Sequence, residues 1–166
     1  MQRRSFLGIA ALSLAPIVAL SDAAVQPIAQ ARLRARFAKR RPLCLHVMRH
    51  LFPQSDTVAL VAFVETTIFH PSYDRDIRRF VITGMERFDR ATKGRFVQLN
   101  AQAKEKALRD FEATAYGASW LRRMLILGCE GLLGDPIYGA NLRGKQWQRL
   151  GVQGGLPRPK TRYIWG

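Results

Sequence analysis

Apolar residues recur every three or four positions through much of residues 43–133, which is the spacing of helices with one buried face. Prolines and glycines interrupt this pattern, and Ser, Asp or Asn residues precede new stretches where N-caps occur. The pattern predicts five helices: 43–52, Ser55 or Asp56 to Pro71, Ser72 or Asp74 to the residues before Gly94, 101–113 after the cap Asn100, and 120–133.

No stretch of comparable length alternates apolar and polar residues, so no strand is predicted. We expect an all-α fold, an irregular bundle of about five helices with a Gly/Pro-rich, basic C-terminal loop region. Within 101–113 we expect Ala103, Ala107 and Phe111 to face the core, with Leu108 beside them.

Two segments differ in composition from the predicted helical domain, 43–133. Residues 32–42 carry six basic side chains before Pro42 and are expected to form a solvated arm, helical or irregular, with a docking or lipid-contact role left open. Residues 134–166, the C-terminal segment, are rich in Gly and Pro and hold no acidic residue after Asp135. We expect this segment to be loop-rich and to form an interface.

The N-terminus begins with a pair of arginines, Arg3 and Arg4, followed by Phe6 and Leu7 in a run without charge. This order is typical of a twin-arginine export signal. The uncharged run is shorter than the roughly 20 residues of a membrane span. Residues 1–31 are therefore predicted to be signal peptide and linker in a periplasmic protein. Small-x-small cut sites occur at 19–21, 21–23 and 29–31, and a retained leader is the alternative.

The formal net charge is +15, which favours an anionic partner. Export argues against nucleic acid, which is scarce outside the cytoplasm. An acidic protein surface or the membrane face is the better expectation.

Two cysteines, Cys44 and Cys129, leave three alternatives: a disulfide between them, two buried thiols, or a bridge to another subunit. His46 and His50 would share a helix face, but no Glu lies between them as in a metalloprotease, so we interpret them as surface or capping residues. No motif for holding a nucleotide, flavin or haem is present. We expect no catalytic residue, no metal and no cofactor in this chain.

The most specific motif follows the last predicted helix. Asp135 is placed to bond backbone N–H groups, Pro136 fixes φ, and Gly139 and Asn141 tolerate left-handed backbone. Tyr138 and Trp147 offer broad aromatic faces suited to an interface. The alternative is a loop that packs these rings onto its own helices.

A late apolar helix running into Asp135-Pro136-Ile137-Tyr138-Gly139-Ala140-Asn141, with Trp147 six residues later and then Leu150-Gly151, resembles the gluconate 2-dehydrogenase subunit 3 family. Residues 51–53 and 96–100 also resemble that family, as does the leader. The resemblance extends over most of 43–154, and its specific part is 130–151.

This resemblance implies a small subunit of a membrane-associated flavin dehydrogenase that oxidises a sugar, a sugar acid or a polyol. FAD would belong to the large flavoprotein subunit and haem c to a cytochrome c subunit. This chain would bind the flavoprotein and escort it to the periplasm, where the complex associates with the inner membrane. The residues implied in partner binding are Asp135, Pro136, Tyr138, Gly139, Asn141 and Trp147.

Three positions depart from the family pattern: Ala140 replaces a Gly, Arg143 a common Asp, and Gln146 a Gly. They leave the partner and the substrate open. The alternative function is a free-standing basic periplasmic protein that binds the membrane surface or an acidic protein.

Overall fold

The structure is a computed structural model that describes residues 22–155, 158, 160 and 161, with side-chain surroundings from residue 28 onward. These residues contain no strand, and the all-α prediction is confirmed. The export-signal residues Arg3, Arg4, Phe6 and Leu7 lie outside the described residues. The helices are α1 (Asp22–Leu51), α2 (Thr57–Ile68), α3 (Arg75–Ala91), α4 (Ala101–Glu112), α5 (Ala115–Leu133) and α6 (Lys145–Leu150).

Helix α1 is longer than predicted, because the basic arm and the first predicted helix form one helix that continues through Pro42. The expectation that Pro42 separates them is wrong. A proline inside a helix removes one backbone hydrogen bond and costs about 3 kcal/mol. Phe37 before it and Val47 after it are both fully buried on one continuous face, and this burial offsets the loss.

The predicted solvated arm is instead fixed to the bundle by ion pairs. Arg36 Nη2 lies 2.6 Å from Glu86 Oε2 on α3, and this hydrogen-bonded pair lowers the pKa of the Glu86 carboxyl. Arg40 Nε lies 2.9 Å from Asp89 Oδ2, close enough for an ion pair although not aligned as a hydrogen bond. These contacts depend on where α3 packs, so the charge run alone could not predict them.

Side-chain caps set the starts of the later helices. Asp56 accepts a hydrogen bond from the Ala59 N–H and Asn100 from the Ala103 N–H, which confirms both predicted caps. Helix α5 begins earlier than the predicted residue 120, because Thr114 Oγ1 accepts from the Gly117 N–H at 2.9 Å.

Helix α5 lies in the middle of the bundle and packs against α2, α3 and α4. Trp120 is fully buried there, and its indole N–H donates to the Val81 carbonyl at 3.0 Å. The indole lies directly over Gly84, where a Cβ atom would come within 1.9 Å of Trp120 Cδ1. The contact between α3 and α5 therefore requires glycine at position 84.

Helix α4 contributes less to the core than its pattern suggests. Leu108 is its buried residue, whereas Ala103, Ala107 and Phe111 are only half-buried. The Phe111 ring still contacts the core, with its centroid 5.7 Å from that of Trp120. Among the described residues, no helix has the length and apolar composition needed to cross a membrane.

Candidate functional site

The motif at the start of the C-terminal segment begins with a turn that follows α5. Asp135 Oδ1 accepts a hydrogen bond from the Ile137 N–H at 3.0 Å, as its position predicted. A single 3₁₀ turn, Pro136–Tyr138, ends at Gly139, which has the predicted left-handed backbone at φ +99°. Gly139 allows this reversal because it has no Cβ atom to clash.

Asn141 does not adopt the left-handed backbone expected of it. Its φ is −92°, and the positive φ values fall on Arg143 and Gly144 instead. Asn141 is 1% exposed and uses both ends of its side-chain amide. Its Nδ2 donates to the Gly134 carbonyl at 3.1 Å, and its Oδ1 accepts from the Gln146 N–H at 3.0 Å. It therefore joins the start of the segment to the first turn of α6.

Trp147 forms a second internal link. The residue is 9% exposed, and its indole N–H donates to the Leu133 carbonyl at 2.8 Å, at the last residue of α5. The Arg158 guanidinium lies 5.0 Å from the ring centroid, within range of a cation–π contact. Asn141 and Trp147 together give this part of the segment a fixed shape on the end of α5.

The motif residues thus come together in one folded unit, but they do not all face outward. Asn141 and Trp147 are turned inward, which matches the alternative of a loop packed on its own helices. Asp135, Pro136, Tyr138 and Gly139 are half-buried. Direct contact with a partner stays a prediction for these four residues. Asn141 and Trp147 are placed to support such a surface from beneath it.

Exposed leucines surround this unit. Leu133, Leu142 and Leu150 are each about half exposed or more, and Val152 follows them at 50%. Large apolar side chains that remain exposed close to one another are typical of protein–protein contact sites. Contact of these exposed leucines with a partner is a prediction, like that of the four half-buried motif residues.

A second apolar surface runs along the side of α5 that faces away from the core. Its members are spaced three and four residues apart, and we call them the outer face of α5: Arg122, Leu125, Ile126, Cys129 and Leu133. Sequence reasoning missed this surface. The available signal was that 120–133 has more apolar residues than a single buried stripe can use.

The charge of the chain is unevenly distributed along it. Residues 113–166 contain two acids, Glu130 and Asp135, against eight basic residues: Arg122, Arg123, Arg143, Lys145, Arg149, Arg158, Lys160 and Arg162. Acidic residues are concentrated earlier, where Glu65, Glu86 and Asp89 bind arginines of α1. Residues 113–166 therefore carry a formal charge of +6, from eight basic residues and two acids, and the other +9 of the chain belongs to residues 1–112, which include the basic arm.

Both cysteines are free thiols in this structure. Cys44 is fully buried, and burial raises the pKa of its thiol to about 12. Cys129 is exposed on the outer face of α5. The arrangement matches neither a Cys44–Cys129 disulfide nor two buried thiols, while a bridge from Cys129 to another subunit stays a prediction.

The two α1 histidines join α1 to α4. His46 Nδ1 lies 3.1 Å from Lys104 Nζ, and burial, followed by the charges of Lys104 and Arg49, lowers the pKa of His46. His50 Nε2 lies 2.7 Å from Glu105 Oε2. Within the described part of the chain, no three His, Cys, Asp or Glu side chains are grouped as metal ligands would be.

A buried arginine that sequence reasoning missed closes the end of α2. The Arg78 guanidinium donates to the carbonyls of Ile68, His70 and Tyr73. Helix C-termini leave carbonyls without partners, and a cation there is favourable. Arg78 therefore has a structural role, fixing the link between α2 and α3.

Comparison with models of known protein families, with curated proteins and with solved structures found no match to this chain.

Proposed function

We propose that this chain is the non-catalytic small subunit of an exported FAD-dependent dehydrogenase complex. In this proposal it binds the flavoprotein subunit, stabilises it, and brings it through the twin-arginine route to the periplasm. The proposal combines the export-like leader with the family resemblance of 130–151. The cytochrome c subunit would be reached through the complex, and FAD and haem c would be held by the partners.

The observation that carries the proposal is the shape of the motif. Asn141 and Trp147 hold the residues between α5 and α6 with three internal hydrogen bonds, at 2.8–3.1 Å. A segment with many glycines would otherwise lose conformational entropy on binding. Ordering it in advance lowers the cost of association, which is what a docking subunit requires.

Exposed side chains on this unit fit the same role. Leu142 and Leu150 are exposed at 47% and 61%, whereas Trp147, which lies between them in the sequence, is buried. Apolar groups at the centre of a contact, with basic residues around them, suit a large acidic protein partner.

The test of the proposal uses the leader. We expect the double variant Arg3→Lys, Arg4→Lys to leave this chain, the flavoprotein and the dehydrogenase activity in the cytoplasmic fraction. A matched double variant, Arg32→Lys with Arg34→Lys, keeps the leader and should export normally. Normal export of the flavoprotein with the leader variant would contradict the escort role.

A further inference from the structure

The outer face of α5 is unusual for a helix at the centre of a bundle. Leu125, Ile126 and Leu133 are 42%, 38% and 48% exposed, and Cys129 between them is exposed as well. From Arg122 to Leu133 the face extends over about 17 Å, at 1.5 Å per helical residue. The opposite side of α5 packs into the core, so nothing in the packing among the described residues requires this outer side to be apolar.

The face is continuous with the surface described above. Leu133 is its last member, and the Leu133 carbonyl accepts the hydrogen bond from Trp147. This hydrogen bond fixes α6, which carries the exposed Leu150, to the end of the outer face. A stable interface covers about 800 Å² on each partner, so a partner on the outer face would extend beyond α5, and the C-terminal segment is the neighbouring part of the chain that this hydrogen bond holds in place.

We infer that the outer face of α5 is a docking surface for a protein partner whose own contact patch is apolar and bordered by carboxylates. This inference rests on the proposed function and names the surface that the flavoprotein would cover. Charge supports the choice of partner, because residues 113–166 hold eight basic side chains against two acids. Arg122 lies on the face itself, and Glu130 is the one acid exposed beside it on α5. Complementary charge at the border of an interface steers association and fixes orientation.

A protein occupant suits the face better than a lipid surface does. Side chains that anchor proteins in the membrane interface are commonly tryptophans. The two tryptophans within the described residues, Trp120 and Trp147, are both buried with their N–H groups bonded inside the chain. Apart from Arg122 at one end, the outer face presents aliphatic side chains and a thiol, which fit a packed protein contact.

Cys129 provides a native reporter for the test. It is exposed in the middle of the face, whereas Cys44 is fully buried and has a raised thiol pKa, so a maleimide should label only Cys129 in the folded protein. The experiment compares the rate of labelling in the complex isolated from the envelope with the rate in the purified chain alone. We expect labelling of Cys129 to be slower in the complex by about tenfold or more, because the partner excludes the reagent.

Substitutions test the outer face of α5 independently of the labelling of Cys129. A charged variant, Ile126→Glu, should weaken recovery of the flavoprotein by about thirtyfold, the effect of losing one central contact. The matched control is Ala38→Glu, which adds the same charge on an exposed position of α1 and should leave recovery unchanged. Circular dichroism and the thermal unfolding midpoint show whether each variant is folded.

The outcomes separate this inference from the proposed function. If no flavoprotein accompanies the wild-type chain, the proposed function fails. If the flavoprotein is recovered but Cys129 is labelled at the same rate in the complex and alone, and Ile126→Glu behaves like Ala38→Glu, only the docking surface is wrong. Protection of Cys129 by vesicles of phosphatidylglycerol, or by self-association of the purified chain, would overturn the choice of a protein partner.

Discussion

Replacing Trp147 with alanine tests whether the C-terminal segment has the fixed shape that the proposal needs. The substitution removes an indole that is 9% exposed, together with its hydrogen bond to the Leu133 carbonyl at 2.8 Å. It also removes the ring against which Gly154 lies, where a Cβ atom would come within 2.4 Å. The change therefore removes the contact of α6 with the end of α5 and its contact with the residues that follow α6.

The expected magnitude follows from these contacts. A buried Trp→Ala change costs about 3–5 kcal/mol. Trp147 is buried but does not belong to the contiguous core cluster of the bundle. We therefore expect the lower end, about 3 kcal/mol, and a local effect in which the C-terminal segment opens while α1–α5 stay folded.

Amide hydrogen exchange measures this directly. The Gln146 N–H, which is bonded to Asn141 Oδ1, should lose protection by about 100-fold in the Trp147→Ala protein. Amides in the middle of α5 should keep their protection against exchange. Leu150→Ala is the control, because Leu150 is 61% exposed on the same short helix and should change stability by less than about 0.5 kcal/mol. Unchanged exchange at Gln146, or an equal loss throughout α5, would refute the reasoning.

Four further predictions follow from single contacts. Arg78→Leu should lower the free energy of unfolding by about 3 kcal/mol, since one buried and two half-buried carbonyls lose their donor, whereas Arg79→Leu, on the exposed side, should not; urea denaturation measures both. Gly84→Ala should cost about 3 kcal/mol or more, because the added methyl would collide with Trp120, and an unchanged thermal midpoint would disprove this contact. The pKa of His46 is lowered by folding, so its stabilising contribution is present above about pH 6.5 and is lost as the pH falls below it. The unfolding free energy of the wild type should therefore fall more steeply from pH 7 to pH 5 than that of His46→Gln. If the exported chain is cut, N-terminal sequencing should find the cut after residue 21 and not after residue 23 or 31, because residues 22–31 lie inside α1 and a protease needs an unwound segment.

Local signals predicted the fold class and much of the helix layout. Asp56 and Asn100 were recognisable as caps because capping depends on the residue itself and on the backbone that follows within three positions. Pro42 led to a wrong boundary, because whether a proline ends a helix depends on contacts with residues that are distant in the sequence. Its local cost is real, and the burial that outweighs it comes from helices distant in sequence.

The candidate site was found only in part. The turn at Asp135 and Gly139 follows from residue type, and both have the predicted geometry. The inward positions of Asn141 and Trp147 depend on the carbonyls of Gly134 and Leu133 at the end of α5, which no spacing in the sequence reveals. From the sequence alone, an aromatic residue such as Trp147 in a basic, Gly-rich segment could equally contact a partner or pack against the chain's own helices.

The central claim is that this chain works bound to a larger flavoprotein. The most direct measurement is to isolate the chain from the host's envelope under mild detergent and to record the mass and the absorption spectrum of what is recovered with it. The account predicts a complex that contains a large second subunit and shows the absorption of oxidised flavin. Recovery of this chain as a stable, colourless monomer, with the dehydrogenase activity in other fractions, would contradict it.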